Sequence, residues 1–241
     1  MKRLFFIILS IIGTATSRSQ EIMESKVDTV AKERVSATIG ADLVSQYIWR
    51  GQDLGNVSFQ PTLGVGYKGF SLSAWGSVGI SNWEDTKELD FTLDYIYKGF
   101  NIGITDYWFS TGCYFQYKNG KTTHVWEGFV GYDFNILSAK WYANFSGDDG
   151  TNSHGKRAYS SYFELTAPFQ LATLERETSI GVVPWGTTFY GNRHFAVTNV
   201  SLRATKDFTI KEKYHIPIYA VLIANPHSEK LYLLLGLSFK I

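Results

Sequence analysis

From residue 35 onward the chain alternates apolar and polar residues with a period of two, segment after segment. That period belongs to β-strands and not to helices. In the first segment Val35, Ala37, Ile39, Ala41, Leu43, Tyr47 and Trp49 share one parity, while Ser36, Thr38, Gly40, Asp42, Gln46 and Arg50 share the other. An average strand runs ~5–6 residues, and this alternation is far longer. It suits a strand that crosses a bilayer and continues beyond it, because ~9–11 tilted residues span the hydrocarbon. The pattern recurs over 58–67, 70–78 and 88–97, and further strands are expected near 100–111, 122–132, 137–146, 158–167, 177–185, 194–205, 215–224 and 230–241. That makes twelve, an even number, so both ends of the barrel chain fall on one side.

The connections alternate in length. Tyr67-Lys-Gly-Phe70 and Tyr97-Lys-Gly-Phe100 are near-identical tight turns, whereas residues 51–57, 81–87, 112–122 and 147–157 are longer and polar. Short turns at one end and long loops at the other are the asymmetry of an outer-membrane barrel. In lipid every backbone N–H and C=O must be paired internally, and a sheet achieves this only by closing on itself. The expected fold is therefore all-β: an antiparallel transmembrane β-barrel of about twelve strands over residues 35–241. Two places fit poorly. Asp106 falls on the lipid-facing parity, so a bulge or register change is expected near it, and the run from Ile218 to Ala224 is apolar on both parities and cannot be oriented.

Met1-Lys-Arg3, the apolar run from Leu4 to Ile12 and the small, polar stretch to Ser17 read as a secretory signal peptide over residues 1–19. Residues 20–34 are charge-rich and free of aromatics, and read as a solvated periplasmic leader. No later segment approaches ~18 consecutive apolar residues, so helical spans are not expected.

Aromatic residues make up 16% of the chain against 19% charged, an excess that a membrane barrel explains through girdles at its two interfaces. The candidates are Tyr47, Trp49, Phe59, Tyr67, Phe70, Tyr95, Tyr97, Phe100, Trp108, Trp126 and Tyr132. The last strand carries Gly236, Phe239 and Ile241 in a spacing like the C-terminal signal read by barrel-assembly machinery, with Leu234 where a polar residue is usual.

The stretch Gly40-Ala-Asp-Leu-Val-Ser-Gln-Tyr-Ile-Trp-Arg-Gly-Gln-Asp-Leu54, followed by Phe59-Gln-Pro-Thr-Leu63 and Leu72-Ser-Ala-Trp-Gly-Ser77, resembles the TorF-type porins, also called the Gcw_chp group. Glu127 and the hairpin spacing up to about Phe208 extend the resemblance, and the loop from Phe115 to Thr122 departs from it. What the resemblance implies is an outer-membrane channel.

By parity the lumen receives Asp42, Asp90, Asp94, Glu127 and Glu164 against Lys140 and Arg203, with Arg50 at its loop-side mouth. Such a lining favours small cations or neutral polar solutes; the alternative is that the charges pair across a narrow lumen and only stabilise the barrel. With 23 basic against 22 acidic residues there is no electrostatic footprint for nucleic acid. The lone Cys113 has no partner, and the five histidines show no metal-ligand spacing. No cofactor, metal or catalysis is expected, since no Ser–His pair persuades as a nucleophile and base. The expected partners are outer-membrane lipids and lipopolysaccharide, the assembly machinery, and a small polar solute or ion. The competing readings are a barrel that binds or adheres through its loops without conducting, and an outer-membrane lipid-modifying enzyme.

Overall fold

Alternating strands joined by tight turns at one end dictate a meander, and the meander closes. The structure, a computed structural model, describes residues 35–109, 112–118, 120–171, 174–210 and 214–240. The signal peptide and leader expected over 1–34, and Ile241 of the expected assembly signal, lie outside these residues. The strands are β1 (Ser36–Val44), β2 (Tyr47–Trp49), β3 (Gln52–Gly55), β4 (Ser58–Tyr67), β5 (Phe70–Gly79), β6 (Glu88–Tyr97), β7 (Phe100–Trp108), β8 (His124–Asp133), β9 (Ser138–Gly147), β10 (Ser161–Leu171), β11 (Leu174–Val183), β12 (Ala196–Ile210), β13 (Tyr214–Asn225) and β14 (Lys230–Lys240). Twelve of them form a closed antiparallel barrel, and β2 and β3 form a separate hairpin. Closure is made by β1, which pairs with β4 from Ser36↔Gly66 to Val44↔Ser58 and with β14 from Gly40↔Lys240 to Val44↔Gly236. Among the described residues every barrel strand has a hydrogen-bonded neighbour on both sides.

The two Lys-Gly turns twist in the sense their strands need. Lys68 and Gly69 have φ of 49° and 86°, and Lys98 and Gly99 have 47° and 84°. Positive φ at both central positions is the type I′ hairpin turn.

One parity of the barrel strands faces outward and is mostly apolar: Leu63, Leu93, Ile102, Val130, Leu202 and Leu233 are all exposed. A water-soluble surface rarely carries a contiguous apolar patch above a few hundred Å²; a belt running round a closed barrel is the surface of one that spans lipid. At the short-turn end Tyr67, Phe70, Tyr97 and Phe100 are exposed on this face. Tyr95 stacks between Phe70 and Tyr97, and Tyr132 packs between Phe100 and Phe134. The run from Ile218 to Ala224 now has an orientation: Tyr219 and Ile223 are buried inside, and Ile218 and Leu222 are exposed outside. Leu234 also points inward, packed with Val44 and Tyr219.

One expectation is corrected and another is located. The first alternating segment is not one long strand: β1 stops at Val44, and Ser45 turns the chain away, its N–H donating to the Leu235 carbonyl and its Oγ accepting from the Leu235 N–H. The following residues leave the wall and enter the barrel. Second, β7 itself keeps a continuous register to β6 and to β8 at Asp106, and the irregularity expected near it falls in the next strand pair, where the β8–β9 register shifts between Trp126, the β8 partner of Asp106, and Glu127. Asp106 does face outward, but its carboxylate meets His124 Nδ1 at 2.8 Å, and Tyr114, whose carbonyl meets His124 Nε2 at 2.6 Å, brings the β7–β8 connection down over the pair. Cover by that connection makes the outward acid tolerable. Trp108 lies under the same connection, edge-on to Tyr114, and is not a freely lipid-facing girdle residue.

Candidate functional site

The lumen is the candidate site, and the β2–β3 hairpin crosses it. The hairpin turns at Arg50 and Gly51, with φ of 52° and 79°, again a type I′ conformation that Gly adopts freely and Arg does not. Gly51 is required for a second reason: a Cβ there would lie 1.8 Å from the Thr198 carbonyl oxygen on β12. Its own carbonyl accepts a 2.9 Å hydrogen bond from Asn225 Nδ2 on β13.

In the barrel order β9 and β10 stand opposite β1 and β4, between which the hairpin arises, and β8 is the neighbour of β9. Arg50 spans that distance. Its guanidinium forms a fork with the Glu127 carboxylate at 2.6 and 2.9 Å and donates to the Tyr190 hydroxyl at 2.5 Å. The rings of Tyr142, Trp49 and Tyr162 surround it, with centroids 4.2, 4.4 and 4.7 Å from Cζ. Glu127 has no solvent exposure and also accepts from the Tyr107 hydroxyl at 2.8 Å. A buried pair costs less when geometry is bidentate and remaining lone pairs are used, and both conditions hold here. Tyr190 lies in the β11–β12 connection, outside the strands, and burial pushes its phenol well above the ordinary range, so the hydroxyl keeps its proton. At the hairpin's base Tyr47 donates to Glu88 at 2.5 Å and packs against Trp75.

Two cavities flank the hairpin. The outer one, about 470 Å³, is lined by Trp49 and Gln52 together with Trp83, Lys87, Phe109 and Phe189 from the long connections. The inner one, about 430 Å³, lies between the hairpin and the wall made by β12–β14, β1, β4 and β5, and Trp49 lines it too.

The structure places all eight lumen candidates inside. Asp42 and Arg203 line the inner cavity. Asp90 and Asp94 are buried on β6, Asp94 bonded to Ser71 and, at 3.1 Å, to Asn101. Lys140 sits over the Phe129 ring at 4.0 Å, and Glu164 accepts from Tyr162 at 2.8 Å. Only Arg50 and Glu127 are drawn into one contact, and Arg50 is buried within the lumen and not open at its mouth. Tyr47 and Trp49 must be removed from the outer girdle: both lie inside the barrel, because the chain left the wall at Ser45. Trp75, Tyr107, Tyr142, Tyr162 and Tyr190 belong to the site and were not anticipated. Parity was the available signal for four of them, since Trp75 shares it with Ser73 and Ser77, Tyr107 with Thr105, Tyr142 with Lys140, and Tyr162 with Glu164. Tyr190 is in a connection and carries no such signal.

A closed antiparallel barrel with an apolar belt outside and a charged, aromatic lumen inside defines a transmembrane β-barrel. No protein-family model matches the chain, and no curated protein matches it. Among solved structures it is similar to the NanC porin, at 8% identity and a TM-score of 0.46, over 86% of this chain and all of that one. It is also similar to Salmonella typhi OmpF in complex with daunomycin, at 9% identity and a TM-score of 0.36, over 86% of this chain and 97% of that one. At such scores and identities these likenesses carry no argument about what the chain does; the barrel stands on its own strand pairing.

Proposed function

We propose that the protein is an outer-membrane channel, exported through its N-terminal signal peptide, that passes small polar solutes or ions past the β2–β3 hairpin. The carrying observation is that Trp49 lines both cavities, so the outer vestibule and the inner chamber meet at one side chain on the hairpin. A route there is narrow, which suits a twelve-stranded barrel better than the wide aqueous pores of 16–18 strands. The channel reading agrees with what the resemblance to TorF-type porins implies, and it assigns transport and not catalysis. Lipopolysaccharide and outer-membrane lipids are then the surroundings, and barrel-assembly machinery reading Gly236 and Phe239 is the insertion partner.

Purified protein reconstituted in a planar bilayer tests this. Small, stepwise conductance is expected; a membrane with inserted protein that stays silent across a range of voltages would overturn the channel. The inward acids supply a finer test. Asp90→Asn combined with Asp94→Asn is expected to lower cation preference, seen as a shifted reversal potential under a salt gradient, and an unmoved potential would remove these two from the conduction path.

A further inference from the structure

The inner chamber has two kinds of wall. Tyr47, Trp49, Trp75 and Tyr219 supply aromatic surface. Asp42, Gln46, Gln60, Asn199 and Arg203 supply hydrogen-bonding groups of both senses. We propose that this chamber is a binding site for a neutral polyhydroxylated solute of the saccharide type, held between the aromatic rings and the amide, carboxylate and guanidinium groups opposite.

Charge argues for neutrality. Asp42 and Arg203 meet on the two sides of Tyr219: its hydroxyl is 3.4 Å from Asp42 Oδ2, and the Arg203 Cζ lies 3.7 Å above its ring. Opposite charges on the two sides of one ring offset each other's field, and the charge of Arg50, which also lines the chamber, is matched by Glu127. Each still makes charge-assisted hydrogen bonds, which are stronger than neutral ones. A fully apolar solute is disfavoured for the converse reason, because it would strand these groups without partners.

Open valences argue for hydroxyls. Gln46 has no side-chain hydrogen-bond partner among the described residues, and Asn199 uses its amide nitrogen on Ser179 and Glu164 at 3.2 and 3.5 Å while its oxygen has none. An amide wants both a donor and an acceptor, and each hydroxyl of a saccharide is both. The C–H face of a sugar ring supplies the apolar surface that aromatic rings pack against. A cavity of about 430 Å³ falls within the ~300–1,000 Å³ of small-molecule sites.

The proposal deepens the channel reading by naming a solute class, but its test does not need conduction. Purified protein in detergent is titrated with glucose, maltose and N-acetylglucosamine, and with glycine and succinate as zwitterionic and anionic controls, following tryptophan fluorescence and calorimetric heat. Saturable binding of at least one saccharide in preference to both controls is expected. Gln46→Ala and Asn199→Ala should each weaken it by about two- to tenfold, the worth of one hydrogen bond, with the barrel's circular dichroism unchanged. Trp75→Leu gives a second, aromatic-side variant with the same expectation. Absence of saccharide binding, equal or tighter binding of a control, or affinity indifferent to all three variants would overturn it. A protein that binds saccharide yet never conducts refutes the channel alone, and one that conducts without binding refutes the chamber assignment alone.

Discussion

Replacing Glu127 by Gln should release the hairpin while leaving the barrel folded. Glu127 is fully buried and supplies both oxygens of the fork to Arg50, so the substitution leaves a guanidinium inside the barrel without its counter-charge. Breaking one side of a buried pair costs about 3–5 kcal/mol. What remains on Arg50 is one neutral hydrogen bond to the new amide oxygen, the Tyr190 hydroxyl and three ring faces, contacts of ~0.5–2 kcal/mol each that do not replace the lost counter-charge. At about 1.4 kcal/mol per tenfold, the ratio of docked to undocked hairpin falls by about two to three and a half powers of ten. Amide hydrogen exchange reads that ratio directly. Protection at Trp49 and Gln52, paired across the hairpin, is expected to drop by this factor while amides in β12–β14 keep theirs, and single-channel conductance is expected to rise. Arg50→Met with Glu127→Met should recover part of the loss, because removing both charges is far less costly than removing one. Unchanged protection of the hairpin, or an equal loss throughout the barrel, would refute the view that this pair is a latch separable from the wall.

Gly51→Ala should mimic that phenotype by another route, since the added Cβ collides with the Thr198 carbonyl; exchange at Trp49 is the readout, and normal protection would contradict the docking geometry. Trp49→Ala should join the two cavities and raise conductance above wild type in a planar bilayer. Leu93→Arg, on the exposed outer face, should cost about 2–4 kcal/mol of folding stability in lipid vesicles if it lies near the midplane, and an effect near zero would show that this face does not meet hydrocarbon. His124→Ala should unseat the connection that covers Asp106, and limited proteolysis should then cut between residues 112 and 118 faster than in wild type.

The wall of the barrel is legible in the sequence because lipid enforces alternation: an inward Ser or Asp and an outward Leu or Phe differ in free energy at every pair of positions, and the period survives in the residues. Inside, that rule lapses. Tyr47 and Trp49 keep the parity of β1 yet have left the wall, and nothing in a two-residue period records that the chain bent at Ser45. Aromatic residues were also ambiguous by nature. A Tyr satisfies a membrane interface and a desolvated cation equally well, so the ring of side chains around Arg50 looked like part of a girdle or like nothing at all. The pairing of Arg50 with Glu127 spans 77 positions and that with Tyr190 spans 140, separations at which only the closed fold brings the partners together. Asp106 shows the opposite case: parity flagged it correctly as anomalous, and the cause lay in a connection whose path no local pattern describes.

The hairpin's attachments also impose an order of events. It follows the first strand, and beyond the contacts of Tyr47 with β5 and β6 its anchors lie on β8, β9, β10, the β11–β12 connection, β12 and β13. Contacts so distant in sequence form late, after the loop-closure entropy of the intervening chain has been met. The chain therefore inserts and curls with an unobstructed interior, and Arg50 finds its seat only when nearly every later strand is in place. Seating of this one arginine reports that the cylinder is complete, so a protein arrested halfway through assembly would keep a wide, unobstructed interior, and only the finished one would narrow it to the route beside the hairpin.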